Sequence, residues 1–412
     1  MSNAIEADVI VIGGGPSGIA AAAELKRRGV PHVAIIEREP VLGGVPRHCG
    51  HPPFGMREFG RLYTGPAYAA RLARYAEACG VQIHTGTTVV AMQANACLQI
   101  VNSAGKAEAR AKRVIVATGA RETPRSARLV SGDRPIGVIN TGALQAFVYL
   151  RHLLPFKRPL IVGTELVSLS AVLTCMKAGI APVGIIEEHD RPTTYRPFAW
   201  FPRLCGIPIH YGTHLEEIRG TQRVEAVRLR HPDGRIREVE CDGVLFTGGF
   251  TPEATLVRGS HLTLDPGTQG PQVDQWGRCS DRHYYAAGNV LRALETAGWS
   301  FREGRRIGAL VADDLEGRVP EARRTTRIER AEGIKLVMPQ RLAHPLTTQG
   351  LEHLQIRVDH AAQGTLTVST GSRLLWTRQV SLLPERRVLI PLSQLDVPEN
   401  ADTLRIAVQA QV

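Results

Sequence analysis

The apolar positions along this chain fall into two periods, two and near four, and they alternate in blocks. Ala7-Asp8-Val9-Ile10-Val11-Ile12 is a short apolar run rich in β-branched residues, the pattern of a strand buried on both faces. Gly13-Gly14-Gly15-Pro16-Ser17-Gly18 follows it directly. Residues 19–28 are alanine-rich and end at Gly29, which predicts a helix with a glycine stop. Residues 32–37 then form a second strand closed by Glu37. The order is strand, glycine loop, helix, strand.

Further elements follow in the same grammar. A helix is predicted over residues 67–78, after Tyr63-Thr64-Gly65-Pro66. Alternating segments at 82–84, 88–92, 98–101 and 107–110 suggest a small β-meander, and residues 114–120 a buried strand ending in a tight turn. A second strand–loop–helix–strand unit starts at Leu160-Ile161-Val162-Gly163, and its second strand closes at 182–186 on Glu187-Glu188. A helix at 195–205, strands at 224–230 and 236–240, and Val244-Leu245-Phe246-Thr247-Gly248-Gly249-Phe250 come next. The last repeats the strand-then-glycine pattern of 114–120. Tyr285-Ala286-Ala287-Gly288-Asn289 precedes a long helix over 296–315. From about residue 320 the character changes. Residues 323–327 read as a linker, and short β-type segments at 354–358, 364–369, 374–380, 387–391 and 403–408 read as a small all-β module.

The first glycine loop carries chemistry. Gly13, Gly15 and Gly18 make a Gly-x-Gly-x-x-Gly fingerprint between a strand and a helix, with an acid 19 residues after Gly18. The first glycine permits the tight turn, the second lets a pyrophosphate approach the backbone, and the third lets helix and strand pack closely. The helix N-terminus offers free N–H groups and a positive dipole end to phosphates. Glu37 can accept hydrogen bonds from ribose hydroxyls. The second loop keeps Gly163 but has Glu165 and Ser168 at the second and third positions. Two like unit charges ~4 Å apart at an effective dielectric near 20 repel by about 4 kcal/mol. The phosphate site of the second unit therefore reads as damaged, and Glu188 beside Glu187 would oppose a 2′-phosphate.

Composition narrows the setting. The chain has 412 residues, 43% hydrophobic and 22% charged, the balance of a globular protein of two to four domains. No apolar run approaches the roughly 20 residues that span a bilayer, and no secretory leader is evident. The seven cysteines are scattered, with no Cys-x-x-Cys, so a local redox disulfide, an iron–sulfur loop and a zinc knuckle lack support. These features predict a cytoplasmic protein with free thiols and no metal. Net charge is +11, carried by 50 Lys and Arg against 39 Asp and Glu. Arginine bias alone accounts for it, or a basic surface for an acidic partner or an anionic membrane, with peripheral contact at the inner membrane allowed. No basic run longer than three residues appears, so nucleic acid is not expected as a partner.

The fingerprint Gly13-x-Gly15-x-x-Gly18 with Glu37, the Ala117-Thr118-Gly119 turn and Tyr285-Ala286-Ala287-Gly288-Asn289 together resemble the three fingerprints of the two-dinucleotide-domain flavoproteins, over residues 5–318. The resemblance implies an α/β fold. A split Rossmann-like FAD domain occupies residues 1–150 and 251–320, an inserted NAD(P)-domain-like Rossmann unit residues 151–250, and a C-terminal β-sandwich-like module residues 321–412. It implies FAD as cofactor, with NAD(P) doubtful. The implied cofactor-binding set is Gly13, Gly15, Pro16, Ser17, Gly18, Glu37, Arg38, Gly43, Gly44, Val89, Ala117, Thr118, Gly119, Gly288, Asn289, Thr296 and Ala297. Asn289 stands where the family has an acid toward the ribityl–phosphate region, and the helix start at Thr296-Ala297 would face the flavin.

Within that superfamily, Leu42-Gly43-Gly44, His48-Cys49-x-His51, Phe54-Gly55, Tyr63-Thr64-Gly65-Pro66-x-Tyr68 and the Gly163-x-Glu165 variant are similar to flavoprotein subunits of multi-component dehydrogenases of the opine oxidase, hydrogen cyanide synthase and hydroxyproline dehydrogenase type. That likeness implies a small-molecule substrate (an amino acid, opine or hydroxy acid), a catalytic flavoprotein partner and a small iron–sulfur protein as a further partner. A stand-alone NAD(P)H-dependent reductase and a structural FAD scaffold are the competing readings. Cys49, His48 and His51 are the candidate catalytic residues: the histidines would favour a thiolate beside the flavin, or else the loop simply packs a thiol.

Overall fold

The computed structural model describes residues 4–410, apart from 294, 348 and 385. Its first strand, Ile5–Ile12, pairs in parallel with Val33–Ile36 on one side and Gly105–Val116 on the other. Val33–Ile36 pairs in turn with Gln82–His84. Tyr284–Ala286, far along the chain, joins the same sheet beside the end of Gly105–Val116. One sheet is thus built from two distant chain segments, as a split dinucleotide domain requires.

The meander and the buried strand are not separate elements. Gly105–Val116 runs antiparallel to Cys97–Asn102 over its first half and parallel to Ile5–Ile12 over its second. Most of it is exposed or half-buried, whereas its last residues, Val114 to Val116, are all fully buried, so the polarity change looks like a break between two strands. Helices Pro16–Arg27, Gly65–Ala78 and Ala297–Leu315 cover one face of the sheet, with Ile19, Leu25, Leu72, Ile307 and Val311 in their shared core. The meander and the segment after residue 254 cover the other, around Ile10, Val114, Leu98 and Tyr284.

The inserted unit holds a five-stranded parallel sheet in the order Ile209–His210, Gly184–Ile186, Pro159–Val162, Gly243–Phe246, Val138–Asn140. A smaller sheet of His214–Arg219, Ala226–Arg230 and Ile236–Glu240 takes Ser131–Gly132 at its edge. Both edge partnerships correct the expected boundary at residue 150: the insertion begins before Ser131. Ala120–Glu122 and Phe250–Pro252 pair antiparallel and carry the chain out and back.

The C-terminal module is two sheets around one core of Leu342, Leu354, Ile356, Leu366, Val368, Leu404 and Ile406. The expected linker is instead strand Arg324–Arg330, paired on both edges. Thr326 and Ile328 point inward while Arg324, Arg327 and Glu329 face solvent, so charge on one face hid the period of two. Strands Ile334–Met338 and Arg341–His344 complete the sheets. No helix is long and apolar enough to cross a membrane among the described residues.

Candidate functional site

The two glycine loops are built on one plan. At the first, Gly14 N–H donates to Glu37 Oε2 at 2.7 Å and Glu39 N–H to Glu37 Oε1 at 2.9 Å. At the second, Thr164 N–H donates to Glu187 Oε2 at 3.1 Å and His189 N–H to Glu187 Oε1 at 3.1 Å. In both, a buried acid at the end of the second strand is oriented by two backbone donors. Glu37 keeps a lone pair on each oxygen for a ribose hydroxyl, whereas Glu187 also accepts from the Thr164 hydroxyl and pairs with His189 Nδ1 at 2.7 Å.

The loops part company at the crevice between adjacent strand ends, where a dinucleotide lies in this kind of sheet. In the first unit Gly13 has φ +109°, and a Cβ there would meet Ala117 O at 2.5 Å; a Cβ on Gly18 would lie 1.9 Å from Gly13 O. These two glycines are demanded by close packing. Gly15 is different. A Cβ on it would meet only Gly44 Cα, at 3.9 Å, and one on Gly119 would meet nothing within 4 Å. The open side of the loop is therefore cradle rather than core. Pro16 starts the helix, and Ser17 Oγ is buried with no hydrogen-bond partner, as is Ser300 Oγ on the late helix. A buried hydroxyl left unpaired costs about 1–3 kcal/mol. Two such groups beside an open glycine cradle fit the pyrophosphate and ribityl chain of a dinucleotide.

In the second unit the crevice is filled. Glu165 turns inward, accepts from Thr247 Oγ1 at 2.7 Å, and lies within 2.4 Å of a Cβ position on Gly163 and 2.2 Å of one on Gly248. Burial pushes its carboxyl up to about 7 from an ordinary 4.5. The unfolded chain ionises this group above pH 4.5 while the folded chain holds the proton to about 7, so stability falls as pH rises through that window. The full penalty is about 3 kcal/mol above pH 7. Glu165→Gln is expected to raise the thermal midpoint at pH 8 and leave it nearly unchanged at pH 4.5. Melting curves at the two pH values check this; an equal shift at both would place the cost of Glu165 outside its ionisation.

The late segment is held by charge. Glu303 accepts from Gly288 N–H at 2.8 Å and takes both Nη atoms of buried Arg292, at 2.8 and 2.9 Å. Gln355 of the C-terminal module accepts from Arg292 Nε and donates to Glu295, which also pairs with Arg387. Asn289 is spent locally: its amide donates to Glu295 O at 3.1 Å and accepts Glu295 N–H at 2.8 Å. It shapes the loop that delivers Thr296, the N-cap of Ala297–Leu315. Sequence reasoning missed Arg292, Glu295 and Glu303, and no local motif marks them. Gly43 and Gly44 close over the loop, with Gly43 N–H donating to Gly14 O at 2.7 Å. Arg38 is exposed, Thr118 Oγ1 donates to Glu253 O, and Val89's side chain is packed in the core on a strand paired at Ile100.

The Cys49 loop corrects an expectation. Burial pushes the Cys49 thiol up to about 12, and the Glu122 carboxylate pushes it the same way. Burial also lowers His48 to about 4, so it is neutral, and His51 turns to Pro52 O at 2.9 Å. No thiolate is favoured here. Cys49 Sγ instead sits 3.5 Å from Val45 O and Gln145 Oε1. Glu122, which the sequence did not single out, takes Gly142 N–H at 2.6 Å and is itself raised by burial. Alkylation of Cys49 by iodoacetamide at pH 7.5 is expected to run at least about 100-fold slower than that of a free cysteine. Peptide mapping measures it, and a fast reaction would restore the activated thiol. All seven cysteines are free, and Tyr68 is a packing residue against Phe54 and Phe59. Among the described residues no group of three His, Cys, Asp or Glu side chains could hold a metal.

Known proteins resemble this chain. The family model for pyridine nucleotide-disulphide oxidoreductases matches residues 7–304. A hydrogen cyanide synthase subunit, HcnB, of Pseudomonas aeruginosa is 27% identical over 79% of this chain and 76% of its own length. An opine oxidase subunit of Agrobacterium tumefaciens is 24% identical over 74% of this chain and 65% of its own. The solved thioredoxin reductase of T. acidophilum overlays with a TM-score of 0.63 at 23% identity, covering 76% of this chain and 99% of its own. That likeness speaks to the fold.

Proposed function

Because the chain belongs to the pyridine nucleotide-disulphide oxidoreductase family and is an FAD-dependent oxidoreductase, we propose that it is the FAD-binding subunit of a heteromeric dehydrogenase that oxidises an amino acid, opine or hydroxy acid. FAD, when bound, supplies two-electron acceptance from a small molecule and release to a further carrier. The first glycine loop and the helix start at Pro16 bind its pyrophosphate, Glu37 orients a ribose, and the segment from Gly288 to Ala297 is fixed by Arg292 and Glu303. The observation that carries the reading is Glu165 lying across the second crevice. It obstructs the usual entry of reducing equivalents from NAD(P)H, and seven scattered cysteines without a closely spaced pair offer no local disulfide exit. Electrons then need a partner, here a second flavoprotein subunit or an iron–sulfur protein. The subunit names of the two curated relatives point the same way.

A second reading has its own support. Glu187 stands at the end of the second strand as Glu37 does in the first unit and holds Thr164 N–H in the same way, which suits a stand-alone NADH-dependent reductase once His189 yields its place to a ribose. Anaerobic mixing separates the two. The purified yellow protein is expected to keep its flavin absorbance over minutes in millimolar NADH or NADPH. Stoichiometric bleaching within seconds would replace the subunit reading with the reductase.

A further inference from the structure

Half of the twenty large apolar side chains left exposed among the described residues lie between positions 147 and 204, all on the inserted unit. Helix Arg196–Leu204 buries Ala199 and turns Pro197, Trp200 and Leu204 outward at i, i+3 and i+7; Trp200 is 67% exposed and Leu204 85%. Met176 continues the surface, since Cys205 Sγ lies 3.5 Å from its Sδ. The next residue, Lys177, sits 6.0 Å over the Tyr149 ring, which leads to exposed Leu150, Leu153 and Leu154. Exposed apolar side chains on three chain segments joined by these contacts are more than scattered surface leucines.

Its electrostatics select the occupant. From Arg134 to Leu215 the only acids are Glu165, Glu187, Glu188 and Asp190; Glu187 is buried and Glu165 is turned into the crevice on Thr247. Arg151 and Arg203 stand exposed in the same stretches as the apolar side chains. A second copy of a chain with net charge +11 would set cation against cation. An anionic bilayer is normally held by clusters of about four to eight Lys or Arg, and exposed Arg151, Lys177 and Arg203 fall short of that. Trp and Arg at one place are the usual anchors of a protein interface.

We infer that this face is the docking surface for a different polypeptide, one that presents apolar side chains ringed by carboxylates. This rests on the subunit reading above and gives it a location. The test uses the full-length tagged chain purified from its native host, beside Trp200→Asp/Leu204→Asp, which alters only exposed side chains. The expected result is a stoichiometric, acidic companion that slows hydrogen exchange at 147–154 and 196–204 of the wild type. The double variant should keep its full FAD content and melting temperature yet bind the companion at least about 30-fold more weakly, the scale of one lost hot spot. Retention of the companion by the variant, or protection elsewhere, overturns the location and leaves the subunit reading standing. Self-association lost in the variant, or sedimentation of the wild type with phosphatidylglycerol vesicles, overturns it in favour of those occupants. Recovery of the wild type alone overturns both.

Discussion

Gly15→Glu is expected to give a folded, colourless protein. The backbone at Gly15 is extended, with φ −82° and ψ −176°, a conformation open to any residue. A Cβ there has only Gly44 Cα for company, at 3.9 Å. The fold therefore accepts the side chain, in contrast to Gly18, where a Cβ would be driven into Gly13 O. What the substitution destroys is the cradle. It adds bulk and negative charge where a pyrophosphate must meet the helix N-terminus, and about 4 kcal/mol of repulsion alone is near a thousandfold in affinity. The second unit performs this experiment already, with Glu165 at the matching position of a loop that still folds. FAD content by absorbance and secondary structure by circular dichroism check the outcome. The thermal midpoint should fall only to that of the wild-type apoprotein, since bound ligand stabilises by mass action. A variant that stays yellow would mean that the first fingerprint is not the flavin site.

The fingerprints were legible because each is local. A glycine needed for a turn, a helix start and an acid on the next strand lie within 25 residues of one another, from Gly13 to Glu37. The three-module order followed from where they recur. What was not legible depends on distant partners. The start of the insertion is set by distant pairings, Ser131–Gly132 with His214–Arg219 and Val138–Asn140 with Gly243–Phe246. The strand at Arg324–Arg330 carries its charges on the solvent face and shows its role only through neighbours on both edges. Cys49 read as an activated thiol because two histidines flank it in sequence. In space its company is Gln145 and Glu122, and burial rather than proximity to imidazole sets its proton affinity. Arg292 and Glu303 become a site feature only once Gln355, from the C-terminal module, packs beside them.

Glu165→Gly is expected to open the second crevice and let NADH reduce the flavin, a gain of function of at least about tenfold in the anaerobic bleaching rate. The carboxylate presently fills the space a Cβ would take on both Gly163 and Gly248, the turns after two adjacent strands. Its removal frees the same crevice that stands open at Gly119 in the first unit. The acid that would anchor a ribose is in place, since Glu187 is oriented by Thr164 and His189 N–H, and the exposed His189 ring must swing off it for a ribose to bind. With Glu188 exposed beside it, NADH should be preferred over NADPH. Glu165→Gln separates the two ways the carboxylate can obstruct. It removes charge but keeps volume, so it should stay as unreactive as the wild type if the block is steric. A gain in Glu165→Gln as large as in Glu165→Gly would assign the block to charge. Ser168 sets the ceiling on the gain: its Cβ stands where the first unit has Gly18, so the helix start cannot close on Gly163 as tightly as the first helix does on Gly13. Ser168→Gly added to Glu165→Gly should therefore raise NADH affinity further. A double variant still inert to NADH, with its FAD intact, would show that the second unit has lost its nucleotide site by more than the loop, and that the inserted domain survives for its surface instead.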